Sequence, residues 1–175
     1  MYNYLTGVKP SGVFHIGNFI STIKPIMDRD IYDNTLFLIA DYHAITKPKD
    51  ISRIKEYKIN IAKILYSFNI NNIVFQSDFP EVFKLQCLLS NFTPKGLINR
   101  SHGYKLQVDK NRLKGSFDDD GVNMGLFNYP ILMTSDLILF GEDKVFIGED
   151  QIQHIEIARD IMDNFNRFDT GLKIP

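Results

Sequence analysis

One apolar run limits what this chain can fold into more than any other stretch. Residues 34–41 read NTLFLIAD, and their apolar side chains are nearly continuous. Such a run is typical of a strand buried on both faces, as in parallel sheets covered by helices. Strands are also predicted at 2–8 and 72–78, with helical patterns at about 15–28 and 51–68 between them. This alternation predicts an α/β fold with a parallel sheet and right-handed crossovers.

The second half of the chain is predicted to be mostly helical. Residues 108–121 are polar, with two glycines and three successive aspartates, and we interpret them as a mobile loop. In the first half, Pro25 lies inside a helical pattern and should kink that helix or end it early. The remaining predicted elements are helices at 81–92, 124–140 and 149–165 and a short strand at 144–148.

Composition restricts the class of protein. The 175 residues fit one domain, 1–175, with a core of its own, and the net charge of -1 shows no basic footprint for nucleic acid. Cys87 is the only cysteine, which excludes a disulfide framework and a Cys-based metal site. There is no apolar run of transmembrane length and no signal-peptide pattern at the N-terminus. We therefore expect a cytoplasmic protein, or an organellar one in a eukaryote.

The stretch GVFHIGN, residues 12–18, lies where the first predicted strand passes into the first helix. Ligands of parallel α/β sheets bind beyond the carboxyl ends of the strands, and a helix N-terminus suits phosphate. His15 and Asn18 fall on one predicted helical face, and both can donate hydrogen bonds to phosphate oxygens. Gly17 has no Cβ, so a flat adenine can lie against its backbone. The alternative is that His15 caps the helix, with Asn18 and Gly17 as ordinary turn residues.

Two further stretches contain residues typical of a site. YPILMTSDLILF places Asp136 in an apolar helix, where a buried acid is costly unless a donor pairs with it. The alternative is that Asp136 pairs with a backbone group or with a nearby Lys or Arg. IGEDQIQ places Gly148, Asp150 and Gln151 where a strand opens into a helix. The alternative for that stretch is an ordinary acidic turn at a helix start.

Taken together, several stretches resemble the tryptophanyl-tRNA synthetase family of class I aminoacyl-tRNA synthetases. They are KPSGVFHIGN, DYHAIT, SHGYKLQVDKN, YPILMTSDLILF and GEDQIQHIEIARD, and the resemblance runs from about residue 4 to 175. The first motif alone is shared with other class I synthetases and related nucleotidyltransferases, whereas the set in this order is specific. The resemblance implies the class I synthetase nucleotide-binding fold: a Rossmann-like parallel sheet flanked by helices, with inserted helices.

The resemblance implies an ATP site and a catalytic pair. The family joins tryptophan to AMP, releases pyrophosphate, and then passes the aminoacyl group to tRNA. His15 and Asn18 would contact the ATP phosphates and stabilise the charge that develops at the α-phosphate. Mg²⁺ would come with ATP, held largely by substrate oxygens and water, so no metal site made by the protein is expected. The residues implied to bind ATP are Lys9, Pro10, Ser11, Gly17, Asn18, Gly148 and Asp150, the last two near the ribose.

The resemblance also implies a tryptophan pocket. Asp136 would accept the indole N–H, which is a donor only, and Met133 would pack on the ring. Tyr129 and Gln151 would hold the α-amino group. Leu5 stands where some members of the family carry phenylalanine, so the packing of the indole there can differ. The resemblance also places Gly7, His43 and Ile147 in this pocket.

One departure from the family limits the expected activity. The 175 residues contain no Lys-Met-Ser-Lys-Ser-like loop, which grips the pyrophosphate end of ATP, and no C-terminal anticodon-reading domain. We interpret the chain as an incomplete catalytic portion that ends before this second signature loop, through truncation or as a natural short paralogue. We expect slow amino-acid activation and undetectable tRNA charging.

The resemblance predicts tryptophan, ATP and a second copy of the chain as partners, tRNA(Trp) in the complete enzyme, and no membrane. One alternative is a short synthetase-like paralogue that serves as a tryptophan- or nucleotide-binding module, or as a dimerisation module, without ligase activity. Another is a different nucleotidyltransferase that uses the first motif. The TSDLILF and GEDQ stretches argue against this last alternative.

Overall fold

The structure is a computed structural model, and it describes residues 2–46, 51–141, 144–148 and 151–168. The strands are β1 (Tyr4–Val8), β2 (Thr35–Ile39), β3 (Ile73–Phe75) and β4 (Lys144–Phe146). The α-helices are α1 (Ile16–Asn18), α2 (Lys24–Met27), α3 (Asp41–Ala44), α4 (Ile51–Ser67), α5 (Glu81–Ser90), α6 (Lys95–Ile98), α7 (His102–Leu113), α8 (Met124–Phe127), α9 (Tyr129–Phe140) and α10 (Ile152–Asn166).

The four strands form one sheet in the order β3-β2-β1-β4, and every neighbouring pair is parallel. The predicted α/β fold with a parallel sheet is therefore confirmed. β1 lies between two partners, so Leu5 is paired with Leu36 on one side and with Val145 on the other. The chain builds β2 and β3 to one side of β1 and β4 to the other. This reversal makes the boundary between β1 and β4 a topological switch point.

Helices flank the sheet because its strands are apolar on both faces. In β2, Phe37 and Ile39 are buried, and so is the intervening Leu38, which points the opposite way. This confirms the two-sided burial predicted for residues 34–41. The core around the sheet takes side chains from α2, α4 and the turn before α2, and its buried members are Val8, Ile23, Ile26, Phe37, Ile39, Ile61, Leu65 and Ile70.

The described residues divide into two compact units. The first contains the sheet and comprises residues up to 80 and 139–148; the second comprises 81–138 and 151–168. The second unit has its own core, in which the amphipathic face predicted for the last helix is buried through Ile157, Ile161 and Phe165 of α10. Among the described residues, no helix is both long and apolar enough to cross a membrane.

The helix predicted at 15–28 changes its hydrogen-bond register instead of kinking at Pro25. A π-helical turn, Phe19–Ile23, separates α1 from α2 and widens the helix by one residue per turn. Lys24 donates its N–H to the Phe19 carbonyl, five residues back. Pro25 then falls in the first turn of α2, directly after the π-helical turn. The segment ends at Met27, close to the predicted end.

Several predicted elements are shorter in the structure. The strand predicted at 72–78 ends at Phe75 and passes into a 3₁₀ turn, Gln76–Asp78. The helix predicted at 124–140 breaks between Phe127 and Tyr129, because Pro130 cannot donate the N–H that would continue one helix through this point. For the helix predicted at 149–165, residues 149–150 lie outside the described part of the chain.

The prediction of a loop over 108–121 is wrong for its first half. α7 continues to Leu113, and side chains from its last turns then hold the polar segment that follows. Asn111 is buried, and its Nδ2 donates to the carbonyls of Asp118 at 2.8 Å and Asp120 at 2.7 Å. Arg112 forms two hydrogen bonds with the Asp118 carboxylate, which hold the pKa of Asp118 below its usual value. The polar residues that led us to predict a loop form the hydrogen bonds that hold the segment after α7 in place.

We expect Asn111→Leu to lower the free energy of unfolding by about 1–3 kcal/mol, because two carbonyls lose their amide donor. Urea denaturation measures the change. Asn91→Leu is the matched control, since its exposed amide contacts only the Cys87 carbonyl one turn back, and it should cost less than about 0.5 kcal/mol. Equal losses in the two variants would show that the segment after α7 does not depend on Asn111.

Candidate functional site

The turn after β1 contains the motif predicted to bind ATP. Lys9 follows the last residue of β1, and its carbonyl accepts the Ser11 N–H at 2.9 Å. Pro10 is buried and Ser11 is exposed, so the turn is anchored at one residue and open at the next. The chain reaches α1 at Ile16, and the predicted site residues His15, Gly17 and Asn18 lie at the start of this helix.

His15 caps α1 from outside the helix. Its backbone is extended, with φ -133° and ψ 172°, and its Nδ1 accepts the Gly17 N–H at 3.1 Å. In return, Oδ1 of Asn18 accepts the His15 N–H at 3.1 Å. These reciprocal bonds form a capping box. The prediction that His15 and Asn18 lie on one helical face is wrong, because the cap residue precedes the helix; the capping alternative describes the backbone correctly.

The capping box leaves both side chains able to donate. Because Nδ1 of His15 accepts a hydrogen bond, the neutral imidazole carries its proton on Nε2. Asn18 uses its carbonyl oxygen in the cap, so its NH₂ group remains a donor. His15 is exposed and Asn18 is partly exposed. Capping and the predicted contact with phosphate are therefore compatible, since they use different atoms of the same two side chains.

Gly17 has a steric role in this turn. A Cβ built on Gly17 would lie 3.0 Å from both Nδ1 and Cε1 of the His15 ring. A methyl group there would be closer than an ordinary contact, so the exposed imidazole would have to shift by a few tenths of an ångström. The missing Cβ therefore lets the His15 ring lie close over the turn, which is a separate role from the predicted contact with adenine.

The turn after β1 and the end of β4 meet at the switch point of the sheet. Thr6 is paired with Phe146, and its hydroxyl donates to the Phe146 carbonyl at 3.3 Å. Ile147 and Gly148 follow β4 directly, as Lys9 follows β1, so these predicted site residues lie at one edge of the sheet. The predicted ribose contact Asp150 lies outside the described residues.

Three predicted pocket residues of the first unit lie on β1 and just after β2. The Leu5 side chain is buried in β1, and Gly7 is paired with Leu38 of the neighbouring strand. His43 is buried on α3, which begins directly after Ala40 at the carboxyl end of β2. Sequence reasoning missed the ion pair beside it, in which Lys58 of α4 donates to the buried Asp41 carboxylate at 2.7 Å.

The predicted pocket residues of the second unit lie on α9 and at the start of α10. Tyr129, Met133 and Asp136 are four and then three residues apart, which places them on one face of α9. Asp136 is buried, as predicted. Gln151 is the residue before α10, and His154 in the first turn of that helix lies against Tyr129, with ring centroids 5.2 Å apart. The start of α10 and Tyr129 are thus brought together.

His154 is a neighbour of the predicted site that sequence reasoning missed. It is buried, and its place three residues after Gln151 was the available signal. The predicted tryptophan pocket draws residues from both units, and the pocket as a whole stays a prediction. Among the described residues, no three His, Cys, Asp or Glu side chains come together in a way that could hold a metal ion.

A parallel sheet covered by helices, with a switch point between β1 and β4, has the architecture of the Rossmann-like folds, whose ligands bind beyond the carboxyl ends of the strands. The sequence profile of the family described as tRNA synthetases class I (W and Y) matches residues 2–175. The chain belongs to this family, and the resemblance stated from its motifs is confirmed.

Proteins similar to this chain include tryptophan–tRNA ligases, also called tryptophanyl-tRNA synthetases. Over 168 residues the chain is 42% identical to the tryptophan–tRNA ligase of Bordetella pertussis, which covers 93% of this chain and 37% of that protein. A crystal structure of tryptophanyl-tRNA synthetase from Campylobacter jejuni matches with a TM-score of 0.82 and 39% identity, over 99% of this chain and 54% of that one. A second structure from the same organism, complexed with ADP and tryptophan, matches with a TM-score of 0.77 and 42% identity, over 94% of this chain and 50% of that one. The chain thus spans well under two thirds of each relative.

We expect Gly17→Ala to displace the His15 ring and to weaken ATP binding by roughly tenfold, the order of one lost charge-assisted hydrogen bond. Titration calorimetry measures the affinity, and the ¹⁵N chemical shifts of His15 report whether Nδ1 still accepts the Gly17 N–H. Gly12→Ala is the control, because a Cβ at Gly12 meets no atom within 4 Å. Unchanged shifts and affinity in Gly17→Ala would contradict the steric role.

Proposed function

We propose that these 175 residues are the tryptophan- and ATP-binding part of a tryptophan–tRNA ligase, and that residues 1–175 belong to one catalytic domain. The reaction joins tryptophan to ATP to give tryptophanyl-adenylate and pyrophosphate, and the complete enzyme then transfers the aminoacyl group to tRNA(Trp). The observation that carries the proposal is the His15–Asn18 capping box at the switch point of the sheet. The Campylobacter relative in complex with ADP and tryptophan supports it.

The chemistry requires no nucleophile from the protein. The tryptophan carboxylate attacks the α-phosphorus of ATP, and the bond to the pyrophosphate oxygen breaks. The protein contributes position and electrostatic stabilisation. Nε2–H of His15 and the NH₂ group of Asn18 donate to the phosphate oxygens on which negative charge develops. Mg²⁺ enters with ATP as part of the substrate, bound mainly by phosphate oxygens and water.

The carboxylate of Asp136 supplies the selectivity for tryptophan. An indole N–H can donate to this buried acid, whereas tyrosine or phenylalanine offers no donor in the same place. Met133 lies one turn before Asp136 on the same face of α9 and packs on the indole ring. Tyr129 and Gln151 hold the α-amino group, in keeping with the contact between Tyr129 and the first turn of α10.

We expect the chain to bind tryptophan more tightly than tyrosine or phenylalanine. Asp136→Ala should weaken tryptophan binding by on the order of 10- to 100-fold, as for a lost hydrogen bond to a charged group. It should also reduce the difference in affinity between tryptophan and the other two amino acids. Asp136→Asn is the matched variant, because it keeps an acceptor oxygen and should retain part of the preference. Calorimetry with the three amino acids measures this, and equal affinities in the unmodified chain would contradict the assignment.

We expect ATP–pyrophosphate exchange by the 175 residues alone to be at least about 10²-fold slower than by a complete relative, because these residues contain no Lys-Met-Ser-Lys-Ser-like sequence to neutralise charge on pyrophosphate. His15→Ala should slow exchange further, whereas His102→Ala, which changes an exposed histidine on α7, should not. Exchange as fast as in a complete relative would contradict the need for the loop. Equal exchange and equal ATP affinity in His15→Ala and the unmodified chain would contradict the role of His15.

We also propose that the protein forms a homodimer in the cytoplasm. The family resemblance motivates the dimer, and so do the apolar helical segments at 85–92 and 124–140, of which α5 leaves Leu88 exposed. A C₂ interface is the expected symmetry.

A further inference from the structure

The helix turn that carries His43 has no cap of its own. α3 begins immediately after Ala40, and an alanine side chain cannot accept the N–H groups at the helix start. The first N–H groups of any α-helix have no partner within the helix, so they need acceptors from elsewhere. In a buried helix start, an unsatisfied N–H is costly.

The acceptor comes from the end of the neighbouring strand. Gln76 follows β3 and is fully buried, with 0% of its surface exposed. Its Oε1 accepts the Tyr42 N–H at 3.0 Å and the His43 N–H at 3.4 Å. One side-chain oxygen therefore caps α3 from a residue more than 30 positions along the chain.

A second set of hydrogen bonds joins the same two segments, but here the acceptor lies on α3 and the donors follow β3. The Asp41 carboxylate, at the start of α3, accepts the Ser77 N–H at 2.9 Å and the Ser77 hydroxyl at 2.6 Å. Lys58 donates to the same carboxylate at 2.7 Å and to the Ser77 hydroxyl oxygen at 3.0 Å. Each segment thus uses a side chain to bind the backbone of the other, and Lys58 balances the buried negative charge.

We propose that Gln76 is a positioning residue for tryptophan binding, because its side-chain oxygen holds the two N–H groups at the start of α3 and so fixes the place of His43. The inference rests on the proposed function, in which His43 lines the tryptophan pocket. Gln76 does not touch substrate in this account; it acts through α3. Its loss should therefore weaken tryptophan binding and leave ATP binding, assigned to the turn after β1, unchanged.

The test compares Gln76→Met with Gln76→Glu. Both variants lack the NH₂ group of glutamine and have a similar shape, but only glutamate keeps an acceptor oxygen. The two variants therefore differ in the capping bond and in the charge of the buried group, and the unmodified chain, with its neutral acceptor, is the reference for both. We expect the tryptophan dissociation constant of Gln76→Met to exceed that of Gln76→Glu by on the order of tenfold. The ATP dissociation constant should agree among both variants and the unmodified chain within about twofold. Calorimetry measures both ligands.

Asn111→Leu serves as the control for a general loss of stability. Asn111 is also a buried amide that bonds to backbone, but it lies beside the segment that follows α7. Asn111→Leu should leave the dissociation constants for tryptophan and for ATP unchanged. If Gln76→Met and Gln76→Glu bind tryptophan equally well, the inference is overturned while the proposed function stands. The same holds if Gln76→Met loses as much affinity for ATP as it loses for tryptophan. Failure of the unmodified chain to bind tryptophan overturns the proposed function and the inference with it.

Hydrogen exchange in the unmodified chain provides a second test that needs no variant. The amides of Tyr42 and His43 should be protected, and tryptophan should slow their exchange further while leaving the amides of α7 unchanged. Exchange at the rate of an unfolded peptide, or no response of these two amides to bound tryptophan, overturns the inference.

Discussion

The parallel pairing of β1 on both of its edges is the constraint on which the rest of the structure depends. A strand with parallel neighbours on two sides is interior to its sheet, and its carboxyl end lies beside theirs. The turn containing His15, the start of α3 and Gly148 all follow such ends, so they share one edge of the sheet. Parallel strands cannot be joined by short hairpins, and the crossovers between them supply the helices that cover the apolar faces.

Two helices that begin at this edge are capped differently, one by neighbouring residues and the other by a residue distant in the sequence. α1 is capped locally, because His15 and Asn18 exchange hydrogen bonds within one turn. α3 is capped from a distance, by Gln76 at the end of β3. The local cap forms whenever the turn forms and can be seen in a short motif. The distant cap exists only after β2 and β3 have paired, so it couples the formation of the sheet to the place of His43.

Helix α9 shows how a polar group can be kept in an apolar element. Thr134 and Ser135 are fully buried, yet their hydroxyls donate to carbonyls four residues back, at Pro130 and Ile131, and so need nothing from outside the helix. A carboxylate has no proton to donate in this way. Asp136 therefore depends on donors beyond the backbone of its own helix, from other parts of the protein or from a ligand that carries an N–H.

The sequence by itself determined the alternation of strands and helices, the two-sided burial of β2 and the family, because each is written in short-range periodicity or in a compact motif. It misassigned residues 108–113, where helix-forming residues are polar and carry no apolar stripe. Only the tertiary structure decided the strand order, the capping of α3 by Gln76 and the anchoring of the polar segment by Asn111. Parallel crossovers of one hand allow several strand orders, and burial of the whole core selects among them. A hydrogen bond between residues more than 30 positions apart leaves no local pattern, because its partners meet only when the sheet has formed.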